Sequence, residues 1–278
     1  MSRFTAFTLA ATLSIAAWPV AAQDNHDAKV DALFDALGLP DMLQIMREEG
    51  VEYGQTIAAD MFPGRTNGTW NAAVSQIYDP EMMYEEVRGA FGEALEGDDI
   101  DAMIAFYTSE PGETIIGLEV SARRALLDDA VEEASKDRAA IAIADETARY
   151  LKVKSFVEAN DLIEANVVGA LNSNYAFYMG LIDGGAMPPG VTPDSALQDV
   201  WAQEGEIRSN TTEWVYSFLL MAYQPLSDAD MDAYIAFSES AAGEDVNDAL
   251  FTAFNGMFDD ISRSLGLAAS RFMVSQEL

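Results

Sequence analysis

Apolar residues recur at spacings of three and four in nearly every window of the chain, and runs of alternating Val, Ile or Thr are almost absent. That pattern predicts an all-α protein. Its helices are expected at about Lys29 to Leu37, Asp41 to Met61, Asn71 to Tyr78, Pro80 to Leu95, Asp99 to Thr108, Pro111 to Ala134, Asp137 to Ala159 and Asp161 to Leu181. A Gly- and Pro-rich segment, Asp183 to Pro193, interrupts the pattern. Helices resume at Asp194 to Glu204, Arg208 to Tyr223, Asp228 to Glu239 and Asp245 to Phe272.

One stretch departs from amphipathic spacing. Arg3 is followed by an apolar run from Phe4 to Trp18 and by Val20-Ala21-Ala22 before Gln23. A run of roughly 15 residues is shorter than the ~20 that span a bilayer. Residues 1–22 are therefore expected to be a signal peptide, and the mature chain to lie in the periplasm or outside the cell, with no integral membrane segment after cleavage. The sequence has no Cys, so neither a disulfide framework nor a lipid on a mature N-terminal Cys is available.

The chain also repeats itself. Residues 100–113 align without a gap on residues 231–244, with eight of fourteen positions identical. Among the matches are Phe106 with Phe237, Ser109 with Ser240, and Gly112 with Gly243. The same offset of 131 residues puts Leu95 on Leu226 and Trp70 on Trp201, while Leu33-Phe34-Asp35-Ala36 meets Phe156-Val157-Glu158-Ala159 at a slightly smaller offset. The expected organisation is two pseudo-repeated helical units packed as a bundle-like array, 23–152 and 153–278.

Ile77-Tyr78-Asp79-Pro80-Glu81, an amphipathic helix, and then Phe106-Tyr107-Thr108-Ser109-Glu110-Pro111-Gly112 together resemble the bacterial exported family catalogued as domain of unknown function 2059. Its pattern is a Tyr/Phe-Asp-Pro-Glu turn opening a helix, followed by a helix ending in Phe-Tyr-x-Ser-Pro-x-Gly. The resemblance runs from Asp31 to about Ala134, departs from the pattern at Glu110-Pro111, and implies an exported helical domain with no assigned activity. The second half keeps Phe237, Ser240 and Gly243 but has Ser238 where the first has Tyr107, as a diverged copy would.

Elementary capping chemistry accounts for most of this motif. Asp79 before Pro80 is the expected N-cap and first-turn proline of a helix. Ser109 and Ser240 can cap the helices that follow, and Ser227 with Asp230 forms a capping-box-like pair. Gly112 and Gly243 stand where two helices would cross, with Phe106 and Phe237 as core anchors. The motif reads as a helix–corner–helix joint.

Charge narrows the partners. The 47 acidic and 15 basic residues give a formal charge of −32, the wrong sign for nucleic acid or an anionic membrane. A cationic ligand or partner remains compatible. Catalytic inventory is thin, since the single His is His26, close to the expected mature N-terminus. Triads, cysteine nucleophiles and His-based zinc sites lack their residues, which leaves paired carboxylates such as Asp79 and Glu81 for an envelope hydrolase.

Asp228, Asp230, Asp232 and Glu239 fall on a calcium-loop register, but Ala233 occupies its glycine position and the segment reads as helix. The Met residues, Met42, Met46, Met82, Met83 and Met103 among them, have core-like spacing rather than that of a copper site. No cofactor is expected. Trp70, Trp201, Trp214 and Tyr175-Ala176-Phe177-Tyr178 could line a groove between helices, with the 184–190 loop at its edge. The favoured function is a non-catalytic module binding a protein or an apolar ligand in such a groove. A chaperone-like stress protein is a further alternative.

Overall fold

A computed structural model describes residues 18–64 and 68–274. Its elements are α1 (Trp18–Ala36), α2 (Leu39–Met61), α3 (Gly68–Ile77), α4 (Pro80–Ala94), α5 (Ile100–Tyr107), α6 (Glu110–Ala125) and α7 (Asp129–Ala144). They continue with α8 (Ala148–Ala159), α9 (Leu162–Asp183), α10 (Pro193–Trp201), α11 (Glu204–Ala222), α12 (Asp228–Ser238) and α13 (Ala241–Val274). Among the described residues there is no strand, and the chain is all-α. No described helix is long and apolar enough to cross a membrane. The expected signal segment falls outside the described residues except for 18–22.

Side chains fix where these helices begin. The Asp79 carboxylate accepts from the N–H groups of Glu81 and Met82 at 3.0 and 3.1 Å, with Pro80 opening α4. Asp99, Ser109 and Ser227 do the same for α5, α6 and α12. Each satisfies first-turn donors that have no partner inside the helix.

Two long helices expected from the pattern are three. The continuous stretches Pro111 to Ala134 and Asp137 to Ala159 break at Leu126–Asp128 and at Asp145–Thr147. Asp128 turns its carboxylate onto the N–H groups of Ala130 and Val131, Thr147 caps onto Tyr150, and Glu146 takes a left-handed φ of 45°. No proline or glycine marks either break, so local capping overrides a pattern that favours continuation.

Helices α1–α6 and α8–α13 make similar sets of contacts. α1 lies on α4 and α5, and α8 lies on α11 and α12; α2 meets α3 and α6, and α9 meets α10 and α13. The two corners match atom for atom. Gly112 N–H donates to Ser109 Oγ as Gly243 N–H does to Ser240 Oγ, and the serine hydroxyls donate to the carbonyls of Phe106 and Phe237. A Cβ on Gly112 or Gly243 would sit 2.1 or 2.0 Å from those same carbonyl oxygens, so each corner closes only around a glycine. Phe106 and Phe237 stack on one another, centroids 3.9 Å apart and planes 3° from parallel. Rather than each anchoring its own half, the half-buried pair joins the two corners.

A single core runs through both halves, drawing Leu33, Phe34, Trp70 and Phe91 together with Phe156, Tyr223, Met257 and Leu265. The 34-residue α13 threads it and contacts α2, α3, α4 and α5 as well as α9. Buried Val246, Ala249, Ala253, Met257, Ile261, Leu265 and Ala268 form its apolar stripe. Ser173 Oγ bonds Asp259, Gly169 faces Asn255 and Gly180 faces Gly266, so α9 and α13 run in the same direction in a fixed register. The Gly180–Gly266 crossing is backbone on backbone, because a Cβ on Gly180 would lie 2.2 Å from the Arg263 carbonyl. α2 and α6 are paired in the same sense: Gly38 at the head of α2 meets Ile116, and Glu49 further along meets Arg123.

Candidate functional site

A cavity of about 700 Å³ opens between the α2/α6 pair and the α9/α13 pair, a size within the range of small-molecule sites. α2 contributes Met42, Met46, Glu49 and Tyr53, and α6 contributes Ile116, Glu119 and Arg123. Across from them stand Asn166, Gly169, Ala170, Ser173 and Asn174 of α9 and Val246, Asn247, Leu250, Phe254, Asn255 and Phe258 of α13. Trp214 and Phe218 of α11 form part of the remaining wall. The lining is mostly apolar and aromatic, with a few polar groups at defined places.

The most distinctive of those groups is Glu119. Its Oε1 accepts from the hydroxyls of Tyr223 (2.6 Å) and Tyr234 (3.3 Å), residues 104 and 115 positions further along the chain. Tyr107 and Phe156 complete the ring of aromatics around it. Both bonds fall on Oε1. Glu119 is half-buried, facing the cavity, and the protein packed around it pushes the carboxyl up to about 7, more than the two tyrosine bonds pull it down. Burial and the same carboxylate raise the phenols of Tyr107, Tyr223 and Tyr234, so at neutral pH these three act as hydrogen-bond donors.

A second polar group lies one helical turn along α6. Arg123 donates to Glu49 at 2.6 Å, and its guanidinium lies 4.6 Å over the ring of Trp214. Burial raises the Glu49 carboxyl despite the opposing pull of Arg123. The Nε of Arg123 is buried without a partner. Among the described residues, the charged groups lining the cavity are Glu49, Glu119 and Arg123. Beside the apolar side chains of α13, such as Leu250, Phe254 and Phe258, the α9 and α13 walls present asparagine amides and serine hydroxyls, with no charge.

The sequence-derived candidates divide. Tyr78, Tyr107 and Gly243 line the cavity. Asp79 and Pro80 open α4 outside it, Ser109, Gly112 and Ser240 build the corners, and Phe106 and Phe237 stack between them. Ser238, 131 residues after Tyr107, is buried and also lines the cavity.

Of the aromatics expected along a groove, only Trp214 reaches the cavity. Trp70 is fully buried and donates to the Gly54 carbonyl, Trp201 is 59% exposed, and Tyr175 and Tyr178 pack on a separate small cluster around Val167 and Leu171. Trp70 and Trp201, 131 residues apart and expected to be equivalent, occupy opposite environments. The 184–190 loop does not border the cavity; Ala186 and Met187 pack onto the core instead. His26, expected near a disordered end, sits in α1 with Nε2 2.9 Å from the Gly92 carbonyl oxygen. Of the calcium-register acids, Asp228, Asp230 and Asp232 lie on α12 and Glu239 is its C-cap; Asp228 pairs with Arg149 and Asp232 with Lys152. Asp79 caps α4 through Oδ1, and Glu81 beside it is exposed, both outside the cavity.

Glu119 and Arg123 went unremarked in the sequence, although a signal was present. Gly112, Ile115 and Ala122 are buried on α6, and Glu119 falls on the same three-and-four stripe. An acid on the buried stripe of an amphipathic helix needs a partner, and the two tyrosine hydroxyls supply it.

No curated protein and no solved structure matches the chain. Residues 81–140, which run from α4 into α7 and include Tyr107, Ser109, Gly112, Glu119 and Arg123, match the model of a family described as "Uncharacterized protein conserved in bacteria (DUF2059)", in support of the family resemblance.

Proposed function

We propose that the chain is an exported, non-catalytic binding protein that takes a small apolar or amphipathic molecule into the cavity between α2/α6 and α9/α13. The cavity itself carries the reading: about 700 Å³ of mostly apolar, aromatic-lined space with a few convergent polar groups is the form a ligand site takes. Export is supported by Arg3, the apolar run to Trp18 and Ala21-Ala22. In the same reading the two halves are diverged copies of one helical unit. The eight identities in fourteen positions, the matched corner bonds and the like packing of α1–α6 and α8–α13 support this. The cavity then lies between equivalent helix pairs, and divergence such as Tyr107 against Ser238 supplies its asymmetry.

The test is native mass spectrometry of the chain mixed with medium-chain aliphatic probes, compared with Ala170→Phe, which places a ring in the cavity. One probe per chain, lost in the filled variant, is the expected result. Equal binding by both proteins would place the probe elsewhere and remove the basis for the reading.

The raised Glu119 carboxyl favours one second reading, a carboxylate-dependent hydrolase with Glu119 in place of Asp79 or Glu81 as its general acid. It requires a turnover that Glu119→Gln abolishes.

A further inference from the structure

The charges inside the cavity select the kind of ligand it would take. Among the described residues Arg123 is the only basic side chain in its lining, and Glu49 already neutralises it at 2.6 Å while Trp214 covers its face. No described cation pairs with Glu119. The groups around it are the hydroxyls and rings of Tyr107 from α5, Tyr223 after α11 and Tyr234 from α12. Both tyrosine bonds go to Oε1. Among the described residues Oε2 has no hydrogen-bond partner, and Glu119 is half-buried on the cavity wall, so Oε2 is reachable from the cavity. The site thus offers a carboxylate oxygen facing the cavity beside tyrosine hydroxyls, inside a protein of net charge −32. A carboxylate held largely away from bulk water attracts an ammonium group strongly, and the outer charge concentrates cations near the protein.

We propose that the ligand is a cationic amphiphile whose ammonium group docks on Oε2 of Glu119, with its apolar body lying along the α9/α13 wall toward Phe254 and Phe258. This rests on the cavity being a ligand site, and it assigns the chemical class that site selects. It also couples binding to a proton. The empty site holds Glu119 partly protonated near neutral pH, and an arriving ammonium favours the ionised form, so the carboxyl proton leaves to solvent as the ion pair forms.

The experiment is isothermal titration of the full chain with decylamine, decanol and decanoate, below their aggregation concentrations, in two buffers of different ionisation enthalpy near pH 7. Decylamine should bind at one per chain, about ten-fold or more tighter than decanol, and release up to about half a proton. Glu119→Gln should reduce decylamine to the affinity of decanol and abolish the proton release. If decanol binds and decylamine binds no better, or decanoate binds best, the cationic assignment is overturned while the cavity reading stands. If decylamine binds at several sites insensitive to Glu119→Gln, surface attraction explains it and the assignment is again overturned. If none of the three binds, both the assignment and the reading beneath it fail.

Discussion

Replacing Glu119 by Gln should change how stability depends on pH, in a direction opposite to that of most acid residues. In the folded chain the carboxyl is raised from an ordinary 4.5 to about 7, chiefly by burial. Between those values the folded state holds a proton that the unfolded state has released. The stability this contributes is fully present below about pH 4.5 and is lost as the pH rises through about 7. A rise of this size corresponds to about 3 kcal/mol over the whole window, of which roughly 2.5 kcal/mol falls between about pH 5 and pH 8. Glutamine keeps a carbonyl oxygen for the Tyr223 and Tyr234 hydroxyls and does not titrate.

Urea denaturation of wild type and Glu119→Gln, followed by far-UV circular dichroism at about pH 5 and pH 8, isolates the effect. Glu49, Glu86 and Asp259, whose carboxyls burial also raises, cancel in the difference between the two proteins. The variant should gain about 2.5 kcal/mol relative to wild type on going from the lower to the higher pH. A difference that stays constant, or moves the other way, would show that Glu119 is solvated in the folded chain and refute the buried cluster.

Three further experiments test the scaffold. Asp79→Ala removes the cap on the Glu81 and Met82 N–H groups and should cost about 1 kcal/mol in the same denaturation assay. Gly180→Ala drives a Cβ into the Arg263 carbonyl at the α9/α13 crossing and should cost about 3 kcal/mol, whereas Gly117→Ala, with open space around it, should cost nothing measurable. A double-mutant cycle on Phe106→Leu and Phe237→Leu should give a coupling of about 1 kcal/mol, since the stacked rings lose a partner in either single variant; additive effects would contradict the stack.

How much of this was legible in the sequence depends on whether the information was local. The Asp79-Pro80 cap, the Ser109 and Ser240 corners and the apolar stripe of α13 are set by residues within a turn or two of one another, and they read directly. The breaks at Asp128 and Thr147 are also local. They were lost because aspartate and threonine are tolerated inside helices and no proline or glycine announces the stop. The cavity is different in kind. Glu119 and Arg123 have the spacing of an ordinary surface i,i+4 pair, and what removes them from that role is the arrival of Tyr223 and Tyr234 from more than 100 residues away and of Glu49 from α2. No window along the chain contains those partners. Likewise Trp70 and Trp201 align in the repeat, yet only the tertiary packing decides that one is enclosed and the other faces solvent.

The most direct measurement is a crystal structure of the full chain with decylamine bound. The expected density lies between α2/α6 and α9/α13, with the nitrogen about 3 Å from Oε2 of Glu119 and the alkyl chain against Phe254 and Phe258. A probe found only on the outer surface, with the cavity closed over by the surrounding side chains, would contradict it.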